Sequence, residues 1–157
     1  MNEKIAKALA DADVLKFGEF TLASGKLSPI YVNLRVLPSY PKSMAIVAEE
    51  LVKVINKLKP DVIAGAETAG IPLATAISLK TQLPMIYVRK RPKSYGTKDT
   101  VEGILTKNAK TVLVDDMATN AYSKLIFVEG IKNSGGIVKD VVIVLDREQG
   151  GSEAEKH

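Results

Sequence analysis

Hydrophobic positions along the chain change period several times, and each change marks an element. Ile5, Ala8, Leu9 and Ala12 recur at helical spacing and predict an amphipathic helix over residues 2–13. Residues 17–22 and 28–34 read as two strands around a turn at 23–26. This hairpin is too small for a domain and is expected to form a hood. Pro41 opens a second helix where its missing N–H costs nothing. Met44, Val47, Ala48, Leu51, Val54, Ile55 and Leu58 give that helix an apolar stripe through Lys59.

From Asp61 the periods alternate. Residues 62–65 form a short apolar strand, 66–70 a loop of small residues, and a helix with Pro72 in its first turn runs to about Lys80. A strand at 85–88 leads into a polar stretch, 90–103, with neither helical nor strand period, which a compact domain uses as a lid or leaves disordered. A strand at 112–114, a helix at 122–133 ended by Ser134-Gly135-Gly136, and a strand at 138–145 complete the series. Strands alternating with helices predict an α/β fold: a parallel sheet with helices on both faces, right-handed crossovers and the small N-terminal hood. One domain is expected, with helix and hood in 1–40, an α/β core in 41–149 and a polar tail in 150–157.

Composition narrows the chemistry. The 157 residues contain no cysteine, and the one histidine is His157, so thiolate chemistry, His triads and His-ligated metals drop out. No apolar run reaches the roughly 20 residues that span a bilayer, and no signal-peptide core is evident, so a cytoplasmic protein without membrane contact is expected. The net charge of +4 suits an anionic small molecule and is too weak to argue for nucleic acid. Arg35, Arg89, Arg91 and Arg147 are the only arginines, all at or near predicted strand ends. A guanidinium there suits bidentate recognition of phosphate or carboxylate.

Candidate chemistry gathers where the loops after the strands share one sheet edge, at 66–70, 89–103, 115–123 and 146–151. Thr111 to Ser123 is the centre of it. A β-branched run ends in Asp115 and Asp116, expected at the carboxyl end of a strand where ligands bind. Small and hydroxylated residues follow at a helix start, whose backbone N–H groups favour an anion. Alone, this stretch is equally compatible with a buried strand ending in a polar turn.

Residues 20–31, Phe-Thr-Leu-Ala-Ser-Gly-Lys-Leu-Ser-Pro-Ile-Tyr, resemble the N-terminal signature of orotate phosphoribosyltransferases. Residues 70–76 resemble the segment after that family's pyrophosphate loop, 89–96 its catalytic loop, and 145–151 its orotate-side ending. Residues 112–123 resemble its motif for 5-phosphoribosyl 1-diphosphate (PRPP). The resemblance covers nearly the whole chain in order. It implies transfer of ribose 5-phosphate from PRPP to orotate, giving orotidine 5′-monophosphate and pyrophosphate in pyrimidine biosynthesis, with Mg²⁺ carried by PRPP rather than held directly by the protein.

The same resemblance implies residue roles. Lys93, Asp115 and Asp116 would be catalytic. PRPP would be held by Arg89, Lys90, Lys93, Tyr95, Asp115, Asp116, Met117, Ala118, Thr119, Asn120, Ala121, Tyr122 and Ser123. Orotate would meet Thr119 and Arg147, with Tyr31 either near the ring or packing the hood. A homodimer would share the 90–103 loop between subunits.

Some positions depart from the pattern. Asn120-Ala121-Tyr122-Ser123 follows Thr119 without the usual glycine, which serves such loops by reaching positive φ close to phosphate. Tyr95 stands where histidine is usual, and Ala23 and Ala69 where some relatives have lysine. Two other functions therefore stay open: a family member with little catalysis that binds nucleotide or orotate as a sensor or partner subunit, and a phosphoribosyltransferase for another base.

Overall fold

The computed structural model describes residues 2–22, 25–94, 96, 99–118 and 122–147, Tyr122 by its backbone alone. The chain forms two compact units, Met1–Val47 and Ala48–His157.

In the first unit, helix α1 (Glu3–Asp11) starts at Asn2, whose side chain accepts the N–H of Lys4. An Asn cap of this kind satisfies one of the donors a helix start leaves unpaired. Ile5, Ala8 and Leu9, the predicted stripe, are its buried residues. Strands β1 (Leu15–Thr21) and β2 (Leu27–Val32) pair antiparallel, with Phe17 opposite Ile30. A 3-10 helix over Leu34–Ser39 leads to α2 (Pro41–Leu58). Pro41 is the first residue of α2, and the Tyr40 carbonyl accepts the N–H of Met44.

The second unit is built on a five-stranded sheet. Its strands are β3 (Val62–Ala66), β4 (Met85–Val88), β5 (Val101–Glu102), β6 (Lys110–Ala118) and β7 (Ile137–Asp146), in the order β5-β4-β3-β6-β7. β3, β4, β6 and β7 are mutually parallel, as expected, and β5 adds an antiparallel edge. β5 lies inside the stretch read as one long loop. Two residues are too few to carry a period, and the strand exists because β4 offers a free edge: Tyr87 faces Glu102 and Val88 faces Val101.

Helices α3 (Gly70–Thr81) and α4 (Tyr122–Asn133) take opposite faces of the sheet. Val62, Ala64, Ala66, Ile86, Val88 and Leu113 pack with Phe127 and Ile131 of α4. On the other face α3 comes so close that a Cβ on Gly65 would lie 2.9 Å from the Gly70 carbonyl oxygen. A Cβ on Gly70 would lie 2.3 Å from the carbonyl oxygen of Val114. Two side-chain-free positions thus bring the start of α3 onto β3 and β6. Ser134-Gly135-Gly136 ends α4 as predicted: Gly135, at φ +95°, donates to the Lys132 carbonyl, and Gly136 donates to that of Ile131. That pair of bonds is a Schellman cap, which needs a left-handed residue where glycine is cheapest.

β6 runs four residues past its predicted end at Val114. Carboxylates are poor strand formers, but the ladder to β7 continues through Asp115–Ile143, Met117–Leu145 and Ala118–Asp146. Asp115, Asp116, Met117 and Ala118 are therefore strand residues, not the first part of a loop. No helix among the described residues is long and apolar enough to cross a membrane.

Candidate active site

The two carboxylates differ in environment. Asp115 is buried, its Oδ1 accepts the N–H of Asp116 at 2.8 Å, and its Oδ2 holds the ammonium of Lys124. Lys124 comes from the first turns of α4 and is buried too. Asp116 is half-buried. Burial pushes its carboxyl up to about 6, helped by the negative charge and hydrogen bonding of Asp115 and opposed by Lys124 and the Met117 N–H. One carboxylate is thus locked inside the fold and its neighbour is the more open of the two.

Lys124 escapes the sequence reading, yet it leaves a signal. It stands three and seven residues before Phe127 and Ile131, on the stripe that α4 buries. A cation on an apolar stripe needs a buried anion.

The segment after β4 is held by two glutamates that the pattern also passes over. Lys90 donates its backbone N–H to Glu67 Oε2 at 2.8 Å, and the N–H of Glu67 donates to the Val88 carbonyl at 2.9 Å. The loop after β3, where the Glu67–Thr68 peptide is cis, is thereby tied to the end of β4. Lys93 Nζ lies 2.6 Å from Glu102 Oε1, and Arg89 Nη1 lies 3.6 Å from the same oxygen. The hydrogen bond from Lys93 holds the Glu102 carboxyl below its usual range; desolvation opposes this, and the charges of Lys93 and Arg89 add to it.

Arg147 donates its backbone N–H to the Ala118 carbonyl at 3.2 Å, so the end of β7 meets the end of β6. Ser123 lies in the first turn of α4; Met117 is half-buried and Ala118 buried in β6. Tyr95, Thr119, Asn120 and Ala121 lie outside the described residues, as does the side chain of Tyr122. Tyr31 packs against Phe20 within the first unit, ring centroids 5.5 Å apart.

The carboxyl ends of the four parallel strands therefore share one sheet edge and are tied together there. Glu67 binds Lys90, Gly70 abuts Val114 and Asp115, and Arg147 binds Ala118. Lysines and arginines thus follow β4 and β7, and a half-buried carboxylate lies near the end of β6, all at the carboxyl ends of parallel strands, where α/β sheets bind ligands and where such groups suit a polyanion that also carries hydroxyls.

A family model described as a phosphoribosyl transferase domain matches residues 37–157, which defines the class. The orotate phosphoribosyltransferase of Methanopyrus kandleri is 42% identical over 154 residues, covering 98% of this chain and 82% of that protein. The crystal structure of orotate phosphoribosyltransferase from Aeropyrum pernix superposes with a TM-score of 0.87 at 30% identity, over 96% of this chain and 86% of that one. The Mycobacterium tuberculosis orotate phosphoribosyltransferase in complex with PRPP gives 0.76 at 26% identity, over 96% and 86%. The chain belongs to the phosphoribosyltransferase family, in its orotate phosphoribosyltransferase branch.

Proposed function

We propose that the chain transfers ribose 5-phosphate from PRPP to N1 of orotate, in cytoplasmic pyrimidine biosynthesis. The bond from C1 of the ribose to the diphosphate oxygen breaks, and pyrophosphate leaves with the electron pair. The N1–C1 bond of orotidine 5′-monophosphate forms in its place as N1 gives up its proton to solvent or to the departing pyrophosphate. The observation that supports this reading most is the 42% identity to an orotate phosphoribosyltransferase over 98% of the chain, on a sheet whose β4, β6 and β7 end in the segments that carry Lys90, Asp116 and Arg147.

Positive charge grows on the sugar as the diphosphate departs. The carboxylate of Asp116, with Asp115 behind it, stabilises that charge, and Asp116 accepts from the ribose hydroxyls. Arg89, Lys90 and Lys93, with Tyr95, take the negative charge collecting on pyrophosphate. Met117 and Ala118 at the end of β6, Thr119, Asn120 and Ala121, and Tyr122 and Ser123 at the start of α4 would supply N–H and hydroxyl groups to the 5-phosphate. Arg147 pairs with the orotate carboxylate, beside Thr119.

Mg²⁺ commonly keeps waters and uses one or two carboxylates plus substrate phosphates. Asp116, half-buried, is kept for the ribose hydroxyls. Mg²⁺ would be carried on the diphosphate, where it would neutralise the leaving group.

A second reading, a binding protein with little turnover, draws support from the glycine-free Asn120-Ala121-Tyr122 segment and from Asp115 being bound to Lys124. Purified protein with orotate, PRPP and Mg²⁺ separates the two. Loss of orotate ultraviolet absorption is the expected result. PRPP binding by calorimetry without any turnover selects the second reading. Arg147→Ala should raise the KM for orotate by at least about tenfold, the scale of a charge-assisted pair, and that for PRPP much less. Equal losses would displace Arg147 from the orotate carboxylate.

A further inference from the structure

We infer that Lys124 is a positioning residue for the carboxylate pair: by holding Asp115 inside the fold, it leaves Asp116 as the carboxylate presented to the ligand. The inference rests on the PRPP reading of this crevice and adds to it a residue from outside the PRPP turn.

Both oxygens of Asp115 are engaged, one by the Asp116 N–H and one by the Lys124 ammonium, and both side chains of the pair are buried. A buried ion pair is a poor choice for stability alone, since apolar residues of similar volume are often as good or better. Position 124 would suit leucine: the same stripe carries Phe127 and Ile131, each almost fully buried. A lysine there answers a requirement of Asp115, not of packing. Without it, two adjacent carboxylates would stand side by side with no buried cation to match Asp115. With it, Asp115 is matched inside the protein and Asp116 is left to face the sugar. The charges acting on Asp116 are Asp115 on its own strand and Lys124 on α4, with the Met117 N–H as a further donor. α3 touches this stretch through Gly70, which has no side chain, and β7 brings Asp146 into register with Ala118.

The test uses Lys124→Met and Lys124→Arg in the full chain. Carbon-13 NMR titration of the aspartate carboxyls should show the upper ionisation of the pair moving up by at least about one unit in Lys124→Met and returning in Lys124→Arg. The acid limb of kcat/KM for PRPP should move with it, so that activity lost at pH 7 recovers toward pH 9. A residue that only supported the fold would lower activity at every pH and leave the limb in place. An upper ionisation that stays within about 0.3 unit in a folded Lys124→Met protein overturns the inference, and so does an unmoved limb. If the unaltered protein shows no turnover, the functional reading fails by itself, and the carboxyl titration still decides for or against Lys124.

Discussion

At Asp116 the environment sets a pH window that can be measured. A carboxyl raised to about 6 binds a proton in the folded state that it has already lost in the unfolded chain, where its value is near ~3.9. Between these values folding takes up a proton, so the contribution of Asp116 to stability falls as pH rises through the window and is flat above it. Asp116→Asn should remove that slope and raise stability above pH 6. The side chain is still partly open to water, which limits the gain to about 1 kcal/mol; denaturant unfolding at pH 4, 5, 6 and 7 reads it. The same substitution should reduce kcat/KM for PRPP by at least about a hundredfold, since a charge facing the transition state is worth that much. A stabler and much weaker enzyme is the expected pairing. Gly70 is the other residue whose identity is forced. Gly70→Ala would drive a methyl into the Val114 carbonyl and should cost at least about 3 kcal/mol, beyond the propensity gain of alanine in a helix. A thermal midpoint within a degree of the unaltered protein would mean that α3 does not sit this close.

At the scale of elements, β5 matters more than its two residues suggest. It fixes Glu102 opposite Tyr87, where the carboxylate holds Lys93 and lies near Arg89. In the proposed mechanism Lys93 must reach pyrophosphate, so Glu102 competes with the ligand for it. Glu102→Gln should weaken that hold, lower the KM for PRPP by about two- to fivefold, as removal of a weak competing pair predicts, and leave the melting temperature nearly unchanged. A KM that rises would show that Glu102 helps to place Lys93 at the ligand. α4 carries a comparable double duty. Its buried stripe closes one face of the sheet, and the same stripe delivers Lys124 to Asp115.

At the scale of the whole molecule, the proposed homodimer with a shared 90–103 loop has a direct test. Lys93→Ala and Asp116→Asn variants, each nearly inactive, are mixed in equal amounts under conditions that let subunits exchange. If Lys93 serves the partner's crevice, each mixed dimer contains one site with both residues intact, and activity should recover to about a quarter of the unaltered level. If Lys93 serves its own crevice, each chain still lacks one residue and nothing is recovered. Sedimentation of the unaltered protein gives the state of assembly independently.

The order and type of the elements follow from period and punctuation, and the sequence alone suffices for them. Pro41 starts a helix, Ser134-Gly135-Gly136 ends one, and the alternation after Asp61 requires a parallel sheet whose loops share an edge. Because that edge follows from topology, the segments that carry Asp116, Lys90 and Arg147 could be expected to share it, while the role of each residue comes only from the family resemblance. Tertiary structure decided what depends on a partner in space. β6 extends through Asp115 to Ala118 because β7 pairs with it, and β5 exists because β4 has an edge to fill. Lys124, Glu67 and Glu102 matter only through the groups they meet, at separations of nine, 23 and nine residues. No local period reports such a meeting. Two adjacent aspartates look equivalent in a sequence; a buried lysine from the next helix pairs with one of them inside the fold, and the other stays half-buried.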